Sequence, residues 1–132
     1  MKALLVRYLP PGIDNHCMFG AAEIALGGTT VLVENYFSAE REAEGAVLDL
    51  EIRPDFAGLE ESWEQIFRGN SQGQKTLIHL SGVSYRALGR IISINPIVAD
   101  CGLLSLRVPI SSNDTRVIGA SVGFTVAALC AY

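Results

Sequence analysis

The strongest constraint lies in the last fifteen residues. From Ile118 to Tyr132 every even position is apolar: Ile118, Ala120, Val122, Phe124, Val126, Ala128, Cys130 and Tyr132. Such a run of period-two matches describes a β-strand with one buried face. At about 3.3 Å per residue, a straight strand of that length outruns a small domain. It must curl, and Gly119 and Gly123 are the expected bending points. A long bent strand suits a curved or closed sheet.

The rest of the chain agrees with a small β domain. With 132 residues, 49% hydrophobic and 18% charged, it reads as one globular domain spanning 1–132. No internal repeat or low-complexity tract is visible. The opening "MKALLVRYLPPG" is broken by Arg7 and by Pro10-Pro11, so no targeting segment is expected. No run of about 18 apolar residues exists, so no membrane span is expected. Cys17, Cys101 and Cys130 lie far apart without paired spacing, the usage of buried free thiols in a cytoplasmic protein.

Strands are expected at 2–9, 47–52, 75–82 and 85–94. Gly27-Gly28 splits "FGAAEIALGGTTVLVENYF" into two runs and suits a tight hairpin, because glycine accepts positive φ. Folding there sets Leu26 opposite Thr29, Ile24 opposite Val31 and Ala22 opposite Val33. A helix over 15–26, capped by Asn15 and ended by Gly27, is the rival reading. In "VLDLEI" Leu48, Leu50 and Ile52 share a buried face, and Pro54 is expected to end the strand. Asn95-Pro96 reads as a tight turn after the strand at 85–94. "GLEESWEQIFRGN" (58–70) is the clearest helix, with Leu59, Trp63, Ile66 and Phe67 on one stripe and Gly69 at its end. Trp63 is the expected anchor of that helix on the sheet. The fold class is therefore mainly β: a small curved or closed antiparallel barrel with one amphipathic helix near 58–69. Three strands, a helix and two strands is also the element order of OB-type barrels, a match of order alone.

"RIISINPIVADCGLLSLRVPI" (90–110) places Asp100 and Cys101 inside an apolar strand. Before Gly102 the apolar positions Ile97, Ala99 and Cys101 are odd. Beyond it Leu104, Leu106, Val108 and Ile110 are even. A strand cannot change faces without an extra residue, so Gly102 reads as a β-bulge. Cys101 then packs inside and Asp100 accepts freed backbone N–H groups.

Chemical motifs are sparse. Asp14, His16 and Cys17 are possible metal ligands, but a structural zinc site needs four with paired spacings, so no metal and no cofactor is expected. No phosphate loop, nucleophile elbow or zincin motif occurs. His79 should face outward if Ile78 and Leu80 are core. A trio of His79, Asp100 and Ser81 or Ser84 has no evidential weight by itself, and catalysis is not the expectation.

Charge is unevenly placed. Residues 1–66 hold four basic and twelve acidic side chains, a net −8, whereas residues 67–132 hold six basic and two acidic, a net +4. Tyr85, Arg86, Arg90 and Arg107 form the candidate binding patch, with Arg107 expected to approach Arg90 across a hairpin. Aromatic side chains and arginines on a sheet are how OB-type modules hold single-stranded nucleic acid. The acidic total disfavours that reading. The expectation is a non-catalytic binding or assembly module, a homo-oligomer or part of a complex. A nucleic-acid-binding domain is the alternative, and a small hydrolase or lyase with a fold-assembled site is the second.

Overall fold

The computed structural model describes residues 1–9, 20–37 and 44–132. The proposed ligands Asp14, His16 and Cys17, and the residues 15–19 of the rival helix, lie outside them. Along the chain run β1 (Lys2–Leu9), β2 (Ala21–Leu26), β3 (Thr29–Asn35), β4 (Val47–Asp49), β5 (Ile52–Asp55), α1 (Trp63–Arg68), β6 (Thr76–Ser81), β7 (Ser84–Ser93), β8 (Val98–Asp100), β9 (Ser105–Arg107), β10 (Ser121–Val126) and β11 (Ala128–Ala131). The protein is mainly β, with two curled sheets.

The first sheet has the order β4-β1-β2-β3-β11-β5. Its start, with a fourth strand lying beside the first of three hairpin-linked strands, is a Greek key. The β2–β3 hairpin takes the expected register, with Leu26 opposite Thr29, Ile24 opposite Val31 and Ala22 opposite Val33. The outermost strands, β4 and β5, are separated in sequence by Leu50 and Glu51 alone. Leu50 donates to the Met1 carbonyl (2.7 Å), and Glu51 exchanges both backbone bonds with Tyr132 (3.0 and 2.9 Å). The sheet thus curls until both edges belong to one kinked segment. Pro54 does not end it. It sits inside β5 opposite Leu129, where a proline is tolerated because an edge strand has one free side.

The second sheet is built on β7. β10 pairs along one edge, while β6 and then β8 follow each other along the other. β9 completes it beyond β8. The two sheets share the C-terminal segment. β10 pairs with β7 in the second sheet, and β11 pairs with β3 and β5 in the first. The break falls at Ala127, whose carbonyl accepts from Ser84 Oγ (2.6 Å). It does not fall at Gly119 or Gly123, because Gly119 lies in a turn before β10 and Gly123 serves another need. A Cβ on Gly123 would collide with the Gly69 carbonyl, so the glycine lets α1 lie close against β10.

The even-parity rule holds only within β10, since Ile118 lies in the turn before it and is about half exposed. Val122, Phe124 and Val126 are fully buried in the main core. Beyond Ala127 the odd residues Leu129 and Ala131 join that core. Ala128 and Cys130 pack on the sheet's other face with Ala21 and Val83.

The helix is six residues long, much shorter than its apolar stripe suggests. Ser62 caps it, accepting from Gln65 N while Gln65 Oε1 accepts from Ser62 N (3.2 and 2.8 Å). Ile66, fully buried, is the anchor. Trp63 is 43% exposed and stacks on Phe67 (centroids 5.7 Å apart), so it does not pin the helix.

Asn95-Pro96 closes the β7–β8 connection as expected. Gly102, at φ 86°, marks the expected change of face, but within the turn of a β8–β9 hairpin rather than in a bulge. Cys101 N donates to Leu104 O across that turn (2.8 Å). Cys101, Leu104, Leu106 and Val108 are all buried.

Candidate functional site

A cleft of about 480 Å³ opens between the sheets, within the roughly 300–1,000 Å³ span of small-ligand pockets. One wall is Thr29, Thr30, Val31 and Leu32 of β3. The facing wall includes Lys75, Thr76, Leu77 and His79, with Tyr85, Cys101 and Leu103 beside it. Side chains on a strand alternate between faces, so consecutive residues can line one cavity only if the strand turns its edge toward it. β3 does so over four residues. β6 does so at its start.

The hydrogen bonds explain why the β3 edge is open. Odd residues of β3 turn their backbone groups to β2, as Asn35 N does in donating to Gly20 O (3.1 Å). Even residues turn theirs the other way, as Tyr36 N does in donating to Ala131 O (2.9 Å). β11 reaches only Glu34 and Asn35 before the chain leaves for the second sheet. At Leu32 the missing strand is replaced by one side chain. Tyr85 Oη accepts from Leu32 N (2.8 Å) and donates to Leu32 O (3.0 Å). Thr30, two residues earlier, directs its N–H and C=O to the same edge and has no second strand beside it among the described residues. Burial raises the Tyr85 phenol above its ordinary pKa, so it stays protonated and able to donate.

The reactive groups near the cleft are engaged or quenched. Burial, and then the Asp100 charge, push the Cys101 thiol up from 9.0 to about 12. At neutral pH it is a thiol, not a thiolate nucleophile. Its nearest hydrogen-bond acceptor is the Ala99 carbonyl, at 3.8 Å. His79 Nε2 lies 2.8 Å from Gly82 O, and since a carbonyl only accepts, that nitrogen carries hydrogen. Asp100 accepts from Lys75 Nζ (2.8 Å) and from Gly102 N (2.9 Å), which hold its carboxyl below the usual range. The expected bond from Asp100 to freed backbone is thus present. Arg7 and Glu23 pair at 2.6 Å on the β3 side. Among the described residues no group of three or more His, Cys, Asp or Glu could hold a metal ion.

His79 faces the cleft side with Leu77, its ring 5.3 Å from that of Tyr85. Ile78 and Leu80 are not core. They are 45% and 52% exposed, because β6 turns its other face inward.

The four residues of the sequence-derived patch are divided. Tyr85 is buried on the inner face of β7. Arg86 and Arg90 lie on the outer face with Leu88 and Ile92. Arg86 Nη1 donates to Glu61 Oε2 (2.9 Å) and Thr125 Oγ1 (3.1 Å), and Glu61 Oε1 accepts from Thr125 N (2.5 Å). One acid of the N-terminal half therefore neutralises Arg86 and satisfies the outer edge of β10. Arg90 is opposite Asp100, which is opposite Ser105, and Arg107 is opposite Val98. β8 therefore lies between Arg90 and Arg107, keeping them about two strand spacings, roughly 10 Å, apart. Among the described residues these two are the basic side chains without a carboxylate in ion-pair reach.

No helix among the described residues is long and apolar enough to cross a membrane. No family model, curated protein or solved structure matches this chain.

Proposed function

We propose that this chain is a non-catalytic binding and assembly module, an OB-like Greek-key barrel carrying a second sheet, which associates with copies of itself or within a complex. The observation that carries the reading is the outer face of the second sheet. Arg90 and Arg107 have no carboxylate partner there among the described residues, while Ile92, Ile78 and Leu80 are about half exposed. Exposed apolar side chains beside uncompensated charge are what a partner surface offers. Glu44 and Glu60 have no cation in reach among the described residues and can meet those arginines from a second copy. The strand order supports the OB-like part, since β1, β2, β3, β11 and the kinked segment of β4 and β5, taken as one strand, follow one another as a five-membered circuit. The raised thiol, the bonded imidazole and the paired carboxylate support a binding role over a hydrolytic one.

Light scattering across a concentration and salt series tests the association. The expected result is a mass above the 14.2 kDa chain that falls with salt and with Arg90→Glu/Arg107→Glu. A monomer at every concentration contradicts it. The same two arginines favour a second reading, single-stranded nucleic acid. Neutralising two phosphates predicts a salt slope of about −1.4 for log K against log salt, and no binding at low salt removes it.

A further inference from the structure

The helix α1 carries a surface pattern that is complementary to itself. Trp63 is 43% exposed and stacks on the half-buried Phe67, and Leu59, just before the helix, is also exposed. Around this apolar centre the charges are sorted by sign. Glu60 and Glu64 lie at its N-terminal end. Glu61, between them, is turned inward to Arg86 and Thr125. Arg68 lies in the last turn. Asn70 follows the C-cap Gly69 and donates from Nδ2 to Gly89 O (3.2 Å), which holds the neighbouring Arg90 beside that same end. A Cβ on Gly73 would stand 3.9 Å from Arg90 Nη2, so the guanidinium reaches the loop that leaves the helix. Glu64 and Arg68 are within ion-pair reach of each other at 3.9 Å. Glu60 and Arg90 have no opposite charge in ion-pair reach among the described residues. One uncompensated charge of each sign therefore flanks the exposed aromatic stack.

We infer that a second copy of this chain covers this patch, with α1 packed antiparallel on the partner's α1 about a two-fold axis at the Trp63–Phe67 stacks. The inference rests on the association reading above and names its interface. A two-fold axis makes residue i meet residue j and residue j meet residue i. A surface that runs from acid through aromatic to base is therefore its own complement when reversed. Antiparallel packing brings Glu60 of each copy to the partner's Arg90, twice over. Parallel packing would set Glu60 against Glu60 and Arg90 against Arg90, and like charges in an interface are strongly unfavourable. A partner of uniform charge would satisfy one end and be repelled by the other. The centre is a partly exposed tryptophan beside a phenylalanine, and aromatic side chains at the centre of an interface carry much of its binding energy.

The test uses the full chain, whose single tryptophan is Trp63. Light scattering and Trp63 emission are read over a concentration series. The samples are the wild type, Glu60→Lys, Arg90→Glu and an equimolar mixture of those two variants. The wild type is expected to move toward twice the 14.2 kDa chain mass while its emission shifts to shorter wavelength, because the indole leaves water. Each variant alone sets like charges together at both contacts and associates at least about tenfold more weakly. The mixture recovers wild-type association, since each variant supplies the charge that the other lacks. If either reversal fails to fold, Glu60→Gln and Arg90→Gln replace it, with a smaller expected loss. Association that neither variant weakens, or that mixing does not recover, overturns this interface and leaves the broader association reading standing. So does a wild-type dimer whose Trp63 emission does not move. A wild type that stays monomeric at every concentration overturns both.

Discussion

The two ends of β3 solve one problem in different ways. At Glu34 and Asn35 the strand has neighbours on both sides, β2 and the parallel β11. From Thr29 to Val33 it has, among the described residues, β2 as its one neighbouring strand, and one phenol closes Leu32. The cause is the crossing at Ala127, where the chain serves β3 with β11 but β7 with β10. A strand shared between two sheets completes one at the expense of the other. The closed end is ordinary barrel. The open end is a strand edge with a cleft in front of it.

That contrast predicts unequal sensitivities. Leu129→Ala, at the fully buried closed end, is expected to lose about 2–5 kcal/mol in denaturant unfolding. Tyr85→Phe, at the open end, is expected to lose about 1–2 kcal/mol, since it removes two hydrogen bonds at a site water can partly reach. If Tyr85→Phe costs as much as Leu129→Ala, the open end is structural core and the contrast fails. Thr30→Pro is expected to cost under about 1 kcal/mol, because proline is tolerated where a strand edge is free.

Alkaline titration sharpens the same contrast. The folded chain keeps the Cys101 proton up to about pH 12, whereas an ordinary thiol releases it near 9.0. Tyr85 is raised in the same direction. The folded state therefore binds more protons than the unfolded state in that range. Its stability is whole below about pH 9 and falls as pH rises toward 12. Cys101→Ala should flatten that fall. An unchanged slope in the variant would show that the thiol is not the group responsible.

Much of the fold was legible from local patterns. Gly27-Gly28 with alternating flanks sets the β2–β3 register, and the parity change across Gly102 announces a change of face. What failed has physical causes. All four residues of β11 are buried, one face against the main core and the other against a small second cluster, so alternation there cannot say which side is inside. In "TLIHLS" Ile78 and Leu80 share one face and Leu77 stands with His79 on the other, so parity points to the wrong side, and only the packing of Leu77 and the place of Tyr85 opposite His79 choose the inner face. A stripe with Leu59, Trp63, Ile66 and Phe67 does not reveal that the helix runs for six residues only and meets the core through Ile66 and Phe67. Of the candidate patch, the outward parity of Arg86 and Arg90 was readable. The capture of Arg86 by Glu61 was not, because that contact spans 25 residues of sequence. The open edge left no trace at all. It is a property of backbone atoms, and Thr30 looks like any strand residue.

The most direct test is amide exchange on the unliganded chain, read residue by residue along β3. Val31 and Val33, which turn their N–H groups to β2, should be slow in the wild type and in Tyr85→Phe. Leu32 should be slow in the wild type and fast in Tyr85→Phe, and Thr30 should be fast in both. Protection of Thr30 equal to that of Val31, or of Leu32 undiminished without the Tyr85 hydroxyl, would contradict the open edge.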